Sequence, residues 1–296
     1  MNRTDVSVNG ENSSQRPEQA KYFKYMALVD QFNTLKWDQS TIAQESYFRV
    51  KDVAFTSIFA AGCDRMANFL DSAAFQNSEL KLELDESLST TIEHLKAWST
   101  QSRVGLASTF SSKLQGFLNQ DCRQSSAVSA DIKPIEVDSI SKFMPLLAKA
   151  ATHDQVKVFL NDLANPASYG TAFPAPTTPL NAKDGNGESL FELERYWRGP
   201  TWPITNLLLI EGLKNYVGEI PECQHTIDRL TQTIVDRVTT IGLQEYYHPV
   251  ELKSQDEPIG FGNFSWTAAI YLYLTRARGH LNPTPVLLKN MSVEAL

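Results

Sequence analysis

The spacing of apolar residues constrains this chain more than any other feature. Between residues 17 and 35, Tyr22, Tyr25, Met26, Leu28, Val29, Phe32 and Leu35 follow a three-to-four spacing, which gathers side chains on one face of an α-helix. The same pattern recurs from Asp52 to Leu70, through Val53, Phe55, Ile58, Phe59, Met66 and Leu70. There the small Ala54, Ala60, Ala61 and Gly62 leave room for a neighbouring helix, so this segment reads as an inner, buried helix. Further helices are predicted over 79–100, 139–150, 153–164, 202–217, 222–241 and 264–278, and no long β-branched alternation interrupts them. Helices of this length joined by alternately short and long connections suit successive helical hairpins, an all-α fold, rather than a parallel sheet. With 296 residues and 42% hydrophobic side chains, the chain can bury one large core or two modest ones.

Charge and composition remove several partners. A net charge of −7 with no run of four Lys or Arg argues against nucleic acid, which calls for a basic stripe. The longest apolar runs, such as 207–213, are far shorter than a bilayer span, and the residues from Met1 to Pro17 lack the apolar centre of a signal peptide. The expectation is a soluble, cytoplasmic protein with no membrane partner. Cys63, Cys122 and Cys223 are scattered and odd in number, so they read as free thiols rather than as a disulfide framework or a metal site. No cofactor is called for.

Two connections break the helical rhythm. Residues 165–201 and 248–263 are rich in Pro and Gly, yet hold Tyr169, Phe173, Phe191, Tyr196, Trp197 and Phe261. Long loops with this aromatic content are commonly functional. By contrast, 119–134 reads as a plain polar surface loop. The first connection ends in RYWRGPTWPITN, 195–206, where Pro203 suits the first turn of a helix and Thr201 is a candidate N-cap. Aromatic faces such as those of Trp197 and Trp202 pack well on the C–H faces of sugar rings, and the Arg198 fork suits hydroxyls or a carboxylate. The same residues could instead fill core, with Arg198 paired to an acid. Downstream, GLQEYYHP places Glu245 at a helix end among Tyr246, Tyr247 and Pro249, and IGFGNFSWTAA follows at 259–269. Asp52 reads as a helix cap rather than as chemistry.

In this order, YWRGPTWPITNLLLIEGLKNYV, EYYHP and FGNFSWTAAIYL resemble the C-terminal half of the (α/α)6-barrel glycoside hydrolases of the trehalase-like clan. RPEQAKYFKYMALVDQF, SYFRVKDVAFTSIFAAG and ISKFMPLLA extend the resemblance upstream, with 72–135 poorly matched. It implies an inverting glycosidase in which Glu245 is the general base that activates water. It further implies that Tyr196, Trp197, Arg198, Trp202, Tyr246, Tyr247, Phe264, Ser265 and Trp266 line a carbohydrate site, and that no metal or cofactor takes part. The expectation is that Glu245, Trp197, Arg198, Trp202 and Trp266 converge on one cavity.

Inverting hydrolysis needs a second carboxyl group about 6.5 to 9.5 Å from the base. The family supplies it as an aspartate in a segment ahead of the RP helix, and no such segment is found here. Asp5 instead resembles an R-x-D pair that follows it. The resemblance therefore implies an incomplete toroid with about eight of twelve helices, residues 1–15 being a remnant and 16–296 the C-terminal part of the hydrolase domain. Two readings stay open: part of an inverting α-glycosidase, inactive in isolation, or a catalytically inactive helical domain that binds carbohydrate or protein. A missing N-terminal portion, or self-association through exposed helices, would then cover apolar surface.

Overall fold

The computed structural model describes residues 19–76, 87–123, 132–193, 195–250 and 260–277. Asp5, the first part of the helix expected from 79, the centre of the 119–134 loop and most of the 248–263 connection lie outside the described residues. The helices are α1 (Gln19–Thr34), α2 (Gln39–Glu45), α3 (Val53–Leu70), α4 (Ala73–Gln76), α5 (Leu88–Ala107), α6 (His153–Ala164), α7 (Pro203–Lys214), α8 (Glu222–Ile241) and α9 (Ser265–Ala277). Strands are two residues long: β1 (Val50–Lys51), β2 (Phe110–Ser111), β3 (Gly116–Phe117), β4 (Gln120–Asp121) and β5 (Lys133–Pro134). The described residues divide into two compact units, one drawn from 19–22, 137–140 and 158–277 and the other from 23–136 and 141–157.

In the second unit, α3 packs along α5. Asp52 caps α3, its side chain accepting from the Phe55 amide at 2.9 Å, as its position before the apolar run predicts. Small residues let the helices approach: Ala60, Ala61 and Ala67 are buried, and Ser99 donates to the Ala60 carbonyl at 3.0 Å. Ala67, Leu70, Phe75, Leu88 and Ile92 form a core at the far end. The loop expected from 119 instead contributes β4 and β5 to an antiparallel three-stranded sheet with β1, in the order β1-β4-β5.

Two helical faces differ from expectation. Of the apolar residues that define the α3 period, Val53 and Leu70 are buried, whereas Phe55, Ile58, Phe59 and Met66 are exposed. The neighbouring helix takes the small-residue side, so the large side chains face away from it. On α1 no residue is buried, and Tyr25, Met26 and Val29 are exposed. The third difference is at 139–150, where Ile140–Leu146 is a 3-10 helix rather than an α-helix. Pro145 lies inside it and cannot donate the amide hydrogen that an α-helical turn uses.

In the first unit, α7, α8 and α9 pack against one another. The apolar stripe of α8 is buried through Ile227, Leu230, Ile234 and Val238. The 165–201 connection is ordered by its own core: Tyr169 and Phe173 are fully buried, Tyr169 Oη donates to Asp138 at 2.8 Å, and the buried Asn206 of α7 donates to the Pro174 carbonyl at 3.1 Å.

Candidate active site

The site is assembled where three chain segments meet at the N-terminus of α7. Pro203 occupies the first turn, as its missing N–H allows. The N-cap is Trp202 (φ −102°, ψ 125°), without a side-chain cap bond. Thr201, the expected cap, is fully buried, and its hydroxyl donates to the Phe173 carbonyl at 2.9 Å. The same carbonyl also accepts from the Thr171 hydroxyl at 2.7 Å, so Thr201 serves the loop core and not the helix end. Thr201 also forms an antiparallel bridge with Tyr247, the two amides donating to the opposite carbonyls at 3.0 and 2.9 Å.

That bridge fixes one side of the 244–247 strip, and the loop before α9 fixes the other. The Glu245 amide donates to the Phe261 carbonyl at 2.8 Å and the Phe264 amide to the Leu243 carbonyl at 2.9 Å. Thr267 Oγ1 donates to the Gln244 carbonyl at 2.7 Å. Gly260, at φ +74°, passes so close that a Cβ would lie 2.9 Å from the Tyr246 ring and 3.0 Å from the Glu245 Cβ, so a side chain there is excluded both by conformation and by space.

Glu245 is held between these supports at 5% exposure. Tyr196 Oη donates to its Oε1 at 3.2 Å across 49 residues of sequence. Tyr196 reaches it from a backbone at φ +35°, a region where a non-glycine residue persists only under constraint from its surroundings. The constraint is visible: the Trp202 indole donates to the Tyr196 carbonyl at 3.0 Å, and the Tyr196 ring meets Trp202, Trp197 and Tyr246 edge-on at centroid distances of 5.1, 5.8 and 5.8 Å. Trp202 is 1% exposed and Tyr246 is fully buried, their rings 4.9 Å apart. Trp197 stacks on Trp202 at 3.7 Å and 11° and stays 44% exposed. The result is a buried carboxylate with a tyrosine donor, walled by aromatic rings of which the outermost reaches solvent.

The remaining expected site residues are placed differently. Arg198 pairs with Glu192 at 2.9 Å, and Arg195 with the other oxygen of the same carboxylate at 3.0 Å. Tyr247 turns to Phe173, rings 5.1 Å apart, and donates to the Gly242 carbonyl at 2.6 Å. Burial pushes its hydroxyl up to about 12. Phe264 packs on Trp266 at 5.6 Å. Trp266 lines an apolar cavity of about 500 Å³ with Ile204, Leu207, Ala269, Ile270 and Tyr273. Of the five residues expected to converge on one cavity, Glu245, Trp197 and Trp202 are brought together through Tyr196, whereas Trp266 lines a cavity that does not include them and Arg198 is engaged by Glu192.

Thr177, which the motifs did not single out, also holds the site, through Gly199 and Pro200 of the RYWRGPTW stretch. Thr177 accepts from the Gly199 amide at 3.1 Å and donates to the Pro200 carbonyl at 3.0 Å. A Cβ on Gly199 would run into the Glu192 carbonyl oxygen. The sequence signal for Thr177 was the PAPTTP run inside an otherwise aromatic loop, too short to have a period.

With this geometry in view, comparison with known proteins is decisive. The family model for the mannosylglycerate hydrolase MGH1-like glycoside hydrolase domain matches residues 1–267. The chain belongs to this family. A mannosylglycerate hydrolase of Thermus thermophilus is 26% identical over 268 residues, covering 90% of this chain and 55% of that protein. A glucosylglycerate hydrolase of Mycolicibacterium hassiacum is 24% identical, covering 88% of this chain and 51% of that protein. Among solved structures, the mannosylglycerate hydrolase of Thermus thermophilus in complex with Tris superposes with a TM-score of 0.69 at 25% identity, covering 93% of this chain and 57% of the other. The fold class is accordingly the all-α, (α/α)6-toroid type of these MGH1-like proteins. The chain spans about half the length of the relatives it matches.

Proposed function

We propose that this chain carries the base-bearing half of an inverting α-glycoside hydrolase site, with Glu245 as general base. The substrate class is a small α-mannosyl or α-glucosyl conjugate such as a glycosylglycerate, after the activities named for its relatives. The observation that supports this most is the buried Glu245 carboxylate, oriented by Tyr196 against an aromatic wall. Such a carboxylate is held in one orientation by a fixed donor, which a water-activating base needs. Trp197, stacked on Trp202 and open on its outer side, supplies a flat face for a sugar ring.

In this reading Glu245 takes a proton from a water that attacks the anomeric carbon, while a second carboxyl group on the opposite face protonates the departing oxygen. No segment of residues 1–296 resembles the one that supplies that acid in the family. Glycosylglycerates, whose alkoxide leaves poorly, are therefore expected to turn over very slowly with this chain alone. A glycosyl fluoride avoids the requirement, because fluoride departs without a proton while water still has to be activated. The test is fluoride release from α-mannosyl and α-glucosyl fluoride by the full chain. Glu245→Gln, which keeps shape and loses the base, is expected to lower the rate by about a hundred- to ten-thousand-fold, with sugar binding, followed by tryptophan fluorescence, retained. Equal fluoride release by the two proteins would refute the assignment.

A further inference from the structure

The exposed side of α3 is an apolar stripe with a glycine at its centre. Phe55, Ile58, Phe59, Met66 and Phe69 are 43 to 77% exposed, and at 100° per residue all five fall within about 100° of helix circumference together with Gly62. The opposite side carries the buried Val53, Ser57, Ala60, Ala61, Cys63 and Ala67, so the stripe lies outside the buried α3–α5 seam and meets α5 at its edge, where Phe59 touches Trp98. Taking about 150–250 Å² for an aromatic side chain, the stripe presents on the order of 500 Å² of apolar surface. Trp98 of α5, half-exposed and 6.3 Å from the Phe59 ring, extends it. That is the upper end of what a monomer leaves open, about 300–600 Å², and approaches the roughly 800 Å² per partner of a standard interface.

Gly62 has no explanation among the described residues. A glycine inside a helix destabilises it relative to alanine, and a Cβ built at Gly62 meets nothing within 4 Å. Its smallness is explained if a second helix crosses there at close range. The stripe is also nearly symmetric about it: Phe55 and Phe69 lie seven residues to either side, and Ile58 and Met66 four. An identical helix laid antiparallel with its dyad at Gly62 sets each phenylalanine against the other copy's opposite end and each Ile58 against Met66, the self-complementary arrangement of a two-fold interface. Arg65 and Asn68, exposed at the edge, supply a polar rim.

We propose that α3 is a dimerisation helix, and that a second copy of this chain docks antiparallel on its exposed face and crosses it at Gly62. The dimer needs neither substrate nor Glu245, so it stands or falls separately from the proposed chemistry.

Sedimentation of the full chain over a range of concentrations reads the assembly. The wild type is expected to be a reversible dimer. Gly62→Glu sets two carboxylates against each other at the dyad and is expected to weaken the dimer at least about a hundredfold. Because glutamate favours helix over glycine and its Cβ has space, helix content and Tm are expected to be unchanged or raised, which separates a lost interface from a lost fold. In a Cys122→Ser background, Gly62→Cys is expected to form an intermolecular disulfide rapidly, and Gly105→Cys, at an equally open glycine of α5, is expected not to. A monomer at every concentration, which would mean that a different polypeptide covers the face, overturns the proposal. So does open-ended association that Gly62→Glu leaves unchanged, or equal crosslinking at Gly62 and Gly105.

Discussion

Tyr196 is the residue on which the arrangement around Glu245 turns. Its hydroxyl reaches the carboxylate because its backbone is held in a left-handed conformation by the Trp202 indole and three aromatic rings. Tyr196→Phe keeps the ring packing and removes the hydrogen bond. What is lost is the orientation of the base, and misplacing a reacting group by about 1 Å can cost about a hundredfold, so kcat for a glycosyl fluoride is expected to fall by up to about a hundredfold, with KM little changed. A raised KM at constant kcat would instead make Tyr196 a sugar contact. The aromatic cluster at the start of α7 is legible in the sequence from its Pro and Gly neighbours, but the sequence leaves open which rings fill core, as Trp202 does at 1% exposure, and which reach solvent, as Trp197 does. The partner of Arg198 is not legible: Glu192 comes back to it through an irregular loop, and no period links the two. The cap at Thr201 was misplaced for a related reason, since the carbonyl that captures its hydroxyl belongs to Phe173, 28 residues earlier.

At the scale of elements, α6 and α8 begin and end where the apolar spacing places them, at 153–164 and 222–241. Both have polar faces that make the period unambiguous. The α2 helix was missed because its seven residues contain the single large apolar side chain of Ile42 and depend on the Asp38 cap, and two-residue strands have no alternation to detect. For α3 the position is legible and the orientation is not. Its small and its large residues both form a face, and which of them meets α5 is decided by how closely two backbones can approach. Asp52 tests the cap on its own. Asp52→Ala removes the acceptor for the Phe55 amide and is expected to cost about 1 kcal/mol, read as a fall in Tm of about 2–4 °C, with fluoride release unchanged. A loss of fluoride release at unaltered Tm would mean that Asp52 takes part in chemistry.

For the whole molecule, membership of the MGH1-like family and the helical fold say which surfaces and groups to expect, while the chain's own geometry says which of them it holds. It holds a buried carboxylate with its donor, an aromatic wall, and an exposed helix face that is nearly symmetric about a glycine. Among the described residues no helix is long and apolar enough to cross a membrane. The central claim is that Glu245 activates a water that attacks from the face opposite the leaving group, and the stereochemistry of the product tests it most directly. With α-mannosyl fluoride or α-glucosyl fluoride and the full chain, time-resolved proton NMR is expected to show the β-sugar forming first and mutarotating afterwards, a signal that disappears in Glu245→Gln. If the α-sugar forms first, the reaction retains configuration, and the role given to Glu245 is wrong.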